Sequence, residues 1–371
     1  MNLDICQSYA TDMSSKSFTY TFPSVRGIQA GREFFVSQVP LRMLPRLFVF
    51  NDADLPTDMR TQRTLNQKRI PGMARYVTTN RDNYTFSAIT ASIDADVTFE
   101  PVGPEDDQVG RLHIPMDARF IINDGQHRWT ALQEAAIADP TLNDETIAVV
   151  LFVDIGLARS QQMFADLNRH GVRPSASIGI LFDHREELAN TTRQIVKDIP
   201  VLRDLVEPEK SSLVPLSRKL FTLSAIHGTH KALFIQVPAD EQVEVAHNFW
   251  NAVVRAMPEW TMVHNDEIQA RDVRQDFIHT HGTVLHALGR SANHMIRHSD
   301  KWSWEKFTKA LQSIDWRRLN TSLWEGRALS AGRVSKANQS VTLTSNVIKK
   351  ALGLPLSADE ERLEDSISGG K

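Results

Sequence analysis

Apolar positions in the first half of the chain recur with a period of two. The runs "SFTYTF", "REFFVSQV", "NYTFSAITASID", "GRLHIP", "ARFIIN" and "TIAVVLFV" are rich in β-branched and aromatic residues and read as strands between Ser17 and Asp154. "PSVRG" and "PVGPEDD" read as turn chemistry between strands. Helical patterns lie among them: "LRMLPRLF", the polar "TDMRTQRTLNQKR" and a stretch that opens at Gly125. After about His184 the strand signals fade and helical spacing takes over, as in "REELANTTRQIVKDI", "EVAHNFWNAVVRAM" and "WSWEKFTKALQSI". In the last of these Trp304, Phe307, Leu311 and Ile314 form one apolar stripe. The expected fold class is therefore α+β. A mixed α/β domain spans residues 15–190, a mainly helical domain spans 191–355, and the polar tail 356–371 is expected to be disordered.

Composition narrows the function classes. Of 371 residues, 41% are hydrophobic and 23% charged, the values of an ordinary globular protein. No apolar run reaches the roughly 18 to 20 residues of a membrane span, and the N-terminus lacks a basic and then apolar leader, so a cytoplasmic protein is expected. A single cysteine, Cys6, excludes an internal disulfide and a cysteine-built metal centre. The net charge of −3 hides a gradient: residues 301–350 hold ten Lys and Arg against three Asp and Glu, and residues 351–371 hold two against five. A local basic patch of that kind can contact phosphates in a chain of negative total charge, although a solvated helical surface accounts for it equally well.

The densest chemistry lies in "IINDGQHRWTAL", residues 121–132, which reads as a buried strand, a tight turn and a helix. Asp124 is expected to cap a helix running from about Gly125 to Ala136, with Trp129, Leu132 and Ala136 on one face. A helix that starts above a sheet edge aims its N–H groups and positive dipole end outward, which suits an anion. Asp124 and Arg128 also have the spacing of a plain i, i+4 ion pair, which explains two of the polar residues but leaves Gln126 and His127 unaccounted for.

"DGQHR" is the signature of the DGQHR-domain proteins, and the chain resembles the DndB family, regulatory proteins encoded with the DNA phosphorothioation machinery. The likeness extends through "GREFFVSQVPLRML", "NYTFSAITASID", "FADLNRHGVRPS", "LSRKLFTLSAIHGTHKAL", "DWRRLN" and "LWEGRALSAGRVSKANQSVTLTSNVIKKALGL". The turn is also similar to the nucleotide-binding segment of ParB-type proteins and sulfiredoxin, which implies a sheet of that kind and phosphate-cradling roles for Gly125 and Arg128. Gln126 stands where sulfiredoxin has its reactive cysteine, so sulfur chemistry by this chain is not expected. The resemblance implies a repressor that binds double-stranded DNA at the promoter of its own cluster, modulated by ATP or another nucleotide. It also implies an association with the phosphorothioation enzymes and a homo-oligomeric state. Two alternatives stay open: a nucleotide-dependent ATPase or DNA nickase with Asp124 and His127 as catalytic groups, and an adaptor docked on the modification enzymes.

The nucleotide site is expected to comprise Asp124, Gly125, Gln126, His127 and Arg128, and the resemblance adds Asn168 and Arg169 at the end of a helix that starts near Leu157, where Arg169 also suits a plain helix C-terminus. Candidate DNA contacts are Ser217, Arg218 and Lys219, placed on a helix whose Leu216, Leu220 and Leu223 face inward. Arg317, Arg318, Arg327, Arg333, Lys336, Lys349 and Lys350 complete that set, interleaved with Trp316 and Trp324 as core anchors. "TSNVIKKALGLP" reads as a short helix beginning at Ser345 or Asn346. Histidines 279, 281, 286, 294 and 298 lack the spacing of a zinc site, so no metal is expected, and no P-loop, GxGxxG or GxSxG motif occurs.

Overall fold

The computed structural model describes residues 18–48, 67–104, 106–155, 159–169, 174–298 and 302–368. The chain divides into two compact units, Met1–Val172 and Arg173–Lys371. The division falls earlier than residue 190 because "ASIGILF" (176–182) already places Ile180 in the helical core.

Unit 1 is built on a seven-stranded sheet of order β4-β5-β1-β2-β7-β3-β6. The strands are β1 Thr19–Gln29, β2 Arg32–Pro40, β3 Ile89–Asp94, β4 Thr98–Gly103, β5 Asp106–Pro115, β6 Arg119–Asp124 and β7 Thr146–Val153. Pairing is antiparallel except between β3 and β7, so the sheet is mixed. Among the described residues four helices accompany it: α1 Leu44–Leu47, α2 Ile70–Thr79, α3 Gln126–Ala138 and α4 Ser160–Arg169. Ala131, Leu132 and Ala135 of α3 join Ile70 and Val77 of α2 and the strand residues Ile89, Ile93 and Val149 in one core.

Two segments with turn composition are strands. "PSVRG" lies inside β1, which pairs on both sides, with Ser24 opposite Ser37 on β2 and Pro23 opposite Arg111 on β5. Gly27 is there for room, since a Cβ would come within 2.5 Å of the Phe34 ring across the ladder. "TFEPVG" forms β4 through pairing with β5. Tertiary pairing overrides local composition in both places. The polar run 57–66 lies outside the described residues.

Unit 2 is mainly helical, with α5 Ala176–Phe182, α6 Glu187–Asp198, α7 Pro200–Leu205, α8 Leu223–Leu233, α9 Gln242–Ala256, α10 Pro258–His264, α11 Ala270–Asp276, α12 Gly282–His298, α13 Trp304–Gln312, α14 Thr321–Trp324, α15 Asn338–Ala351 and α16 Ala358–Ser368. Its core holds Phe249, Trp250, Trp260, Phe307 and Trp324, all fully buried, and Phe307 and Leu311 of the stripe in α13 are among its members. α15 starts at Asn338, so Ser345 and Asn346 are interior and buried, where helix capping plays no part. The acidic tail is the larger correction. Residues 358–368 form α16, because Glu360 and Glu364 find buried cationic partners that a linear reading of charge does not reveal. No helix among the described residues is long and apolar enough to cross a membrane.

Candidate functional site

The turn after β6 is organised by Gly125. It sits at φ 101°, ψ 13°, in the left-handed region, and takes the N-cap position of α3. A Cβ there would lie 2.9 Å from Nη2 and 3.2 Å from Nε of Arg128, and 3.2 Å from Cγ1 of Ile89. Only glycine therefore permits both the backbone conformation and the close return of Arg128 over the turn. Asp124 does not cap the helix. It is the last residue of β6, and no side chain caps α3. Its Oδ2 accepts from Arg128 Nη2 at 2.6 Å instead, since a glycine cap at positive φ turns the carboxylate toward the i+4 residue. Arg128 Nη2 also donates to the Ala88 carbonyl at 3.1 Å, while its Nε is buried with no hydrogen-bond partner.

The two remaining motif residues separate. Gln126 is buried and donates to the Ile122 carbonyl at 3.3 Å, so it ties the first turn of the helix to the strand. His127 is half-buried, and its pKa is lowered by burial first, then by the charges of Arg69 and Arg128. The neutral imidazole is thereby favoured near neutral pH. Arg69, exposed on the 3-10 turn Gln67–Arg69 that precedes α2, was not legible as a site residue, because only the fold brings it to His127.

Behind the turn lies a buried polar tie. Asn123 donates to Ser92 Oγ at 2.7 Å and accepts from Ser160 Oγ at 2.7 Å, and all three residues are fully buried. The tie locks β3, β6 and the start of α4 together, fixing the strand end from which the turn departs. α4 begins at Ser160, and its last turn contains the backbone of Asn168 and Arg169. Their side chains, and residues 170–173, lie outside the described residues.

The candidate DNA contacts fare differently. Ser217, Arg218 and Lys219 are on a loop, not a helix, and Leu216 is 79% exposed. The loop is held by Arg274, whose guanidinium donates to the carbonyls of Ser217, Lys219 and Pro215. It borders a cleft of about 850 Å³ where Arg218 pairs with Asp266 and Lys219 donates to the Asp204 carbonyl. In the C-terminal segment Trp316 and Trp324 are buried and stacked at 5.4 Å, so they act as core anchors. Arg317 is bound to Asp315, and Arg318 donates to the carbonyls of Gln275 and Arg274. Lys349 is 3% exposed and bonded to Glu360 at 2.7 Å, and Arg327 and Lys350 both meet Glu364 at 2.9 Å. Of the expected open basic face, Arg327, Lys349 and Lys350 are neutralised by α16 and Arg317 by Asp315, while Arg333 and Lys336 lie exposed. His294 and His298 stack at 4.3 Å, and no group of three or more metal-ligating side chains is gathered among the described residues.

A mixed sheet with a strand–glycine–helix turn, joined to a helical unit, defines a two-unit α+β protein carrying a DGQHR turn. The chain belongs to the DndB family, described as DNA-sulfur modification-associated, whose family model matches residues 22–355. No curated protein and no solved structure matches it.

Proposed function

We propose that this chain is a DNA-binding transcriptional repressor of the phosphorothioate modification genes, modulated by a nucleotide held at the DGQHR turn. Membership of a DNA-sulfur modification family supports the DNA side. The observation that carries the nucleotide side is the Arg128 guanidinium, folded over Gly125 with a buried, unsatisfied Nε–H beside an uncapped helix start. A buried charged donor without a partner is costly, and a phosphate oxygen reaching the turn relieves that cost. Arg69 adds a second positive charge nearby. Gly125→Ala displaces Arg128 and is expected to abolish ATP binding measured by calorimetry; unchanged affinity would rule out the turn as the site. A fragment bearing the cluster's promoter should be retarded in gels, with affinity falling steeply as salt rises. Equal, salt-independent affinity for any duplex overturns the repressor reading.

One observation favours a second reading, a nucleotide-dependent hydrolase or nickase: His127 is tuned toward its neutral form and can accept a proton. Turnover that is identical in wild type and His127→Ala removes it.

A further inference from the structure

Three of the cations that the sequence marks for DNA, Arg327, Lys349 and Lys350, are occupied by acids in the fold, and Arg290, which it does not mark, joins them. Arg290 on α12, Arg327 after α14, and Lys349 and Lys350 on α15 converge on two carboxylates of α16. Glu360 Oε1 accepts from Lys349 Nζ at 2.7 Å and from Arg290 Nη2 at 3.3 Å. Glu364 Oε2 accepts from Arg327 Nη2 and Lys350 Nζ, each at 2.9 Å, and its Oε1 accepts from Asn346 Nδ2 at 3.2 Å.

The manner of docking is unusual for a surface helix. Among its described side chains the buried ones are Glu360 and Glu364, whereas Leu363 and Ile367 are only half-buried. An amphipathic helix ordinarily buries an apolar stripe; this one is inserted acid first. Its eleven residues carry five acids and one arginine. The fit is also incomplete, since Arg327 Nε and Asn346 Oδ1 are buried without hydrogen-bond partners. The family match ends at residue 355, just before α16, so the cations lie within the family's span and the helix that covers them lies beyond it.

We propose that Arg290, Arg327, Lys349 and Lys350 form a phosphate-binding face for duplex DNA, and that α16 occupies it as an internal competitor. The proposal rests on the DNA-binding reading. Carboxylates and phosphodiesters present the same chemistry to arginine and lysine, anionic oxygens that accept charge-assisted hydrogen bonds. A helix held by ionic contacts is displaced by a polyanion more readily than one held by a hydrocarbon stripe, because the same cations change partners without exposing a large apolar surface.

The test compares the full chain with its Glu360→Gln/Glu364→Gln variant on two duplexes, the cluster's promoter fragment and a scrambled sequence. The variant keeps the shape of α16 and removes its grip. It is expected to bind both duplexes at least about tenfold more tightly, with a log–log salt slope steeper by about 3.6 as the four cations become available to phosphates. Wild-type binding with no gain in affinity or slope in the variant overturns the competitor and leaves the repressor reading standing. No binding by either chain removes both. If the variant unfolds, amide hydrogen exchange of residues 358–368 in the wild-type chain decides. Saturating promoter duplex must speed exchange there, and unchanged protection on the bound protein overturns the proposal.

Discussion

Each unit of this protein holds arginine or lysine against a carboxylate, and the two arrangements have opposite consequences. In unit 1 the pair Asp124–Arg128 is local and partly wet, its side chains 44% and 20% exposed, and it leaves a helix start uncapped above the sheet. In unit 2 the carboxylates Glu360 and Glu364 are buried and the pair Lys349–Glu360 is sealed, with Lys349 at 3%, while Arg290 and Lys350 reach the two acids from more open positions. A partly exposed pair can exchange its anion for another at small cost. A sealed one strands a buried charge when a single partner is deleted, and it exchanges only when another anion takes over the same cations.

The sharpest test of that difference is removal of one partner from the sealed network. Lys349→Met leaves Glu360 buried beside Arg290 alone, and the expected loss is about 3–5 kcal/mol of unfolding free energy. Adding Glu360→Leu should restore most of it, because a matched apolar pair carries no desolvation cost. Urea denaturation of the two variants measures both. A Lys349→Met loss below about 1 kcal/mol would place the pair in the wet class and erase the contrast.

The same contrast explains what was legible in the sequence. The DGQHR turn could be read because its parts lie within five residues: strand, glycine, helix and an acid four residues before a base. Even so, the sequence points to a cap at Asp124 where the fold places Gly125, because nothing local says that Gly125 takes the cap while the carboxylate pairs with Arg128. The stripe in α13 was equally plain, being periodic over one helix. The burial of Lys349 was not legible, since it depends on α16 folding back across α15, and acidic composition alone argues for disorder. Arg69 beside His127 and the Asn123 tie to Ser92 and Ser160 are likewise products of tertiary contact.

Protonation offers a second way to separate the units, of intermediate size. His230 in unit 2 is fully buried between Thr192 and Trp250, and its pKa is pushed down to about 3 by burial first and then by His227. The unfolded chain therefore binds a proton below the ordinary histidine pKa of about 6.5 that the folded chain refuses. Stability is full above that pH and falls as pH drops toward 3, with a slope of about 1.4 kcal/mol per pH unit. At pH 5 the expected loss from His230 is about 2 kcal/mol relative to pH 7.5. Six of the seven tryptophans lie in unit 2, so their fluorescence follows this unit. A His230→Gln variant that loses as much stability as wild type between those two pH values would show that the buried imidazole is not the cause.

The smallest change in stability is expected at the wet pair, where it has the largest bearing on function. Asp124→Asn keeps a side-chain oxygen for Arg128 but removes the charge, and a partly exposed pair of this kind contributes only about 0.2–1 kcal/mol. The melting temperature should barely move. Arg128 then loses its resident anion while Gly125 still lets it lie over the turn, so a nucleotide phosphate no longer competes with a carboxylate for the guanidinium. ATP affinity, measured by calorimetry, is expected to rise several-fold under the ligand-site reading. The catalytic reading requires the opposite, because an aspartate acting as base or metal ligand cannot be replaced by an amide without loss of turnover. Tighter ATP binding with background turnover unchanged would mark Asp124 as the occupant of the site, and lost turnover with unchanged affinity would mark it as part of the chemistry.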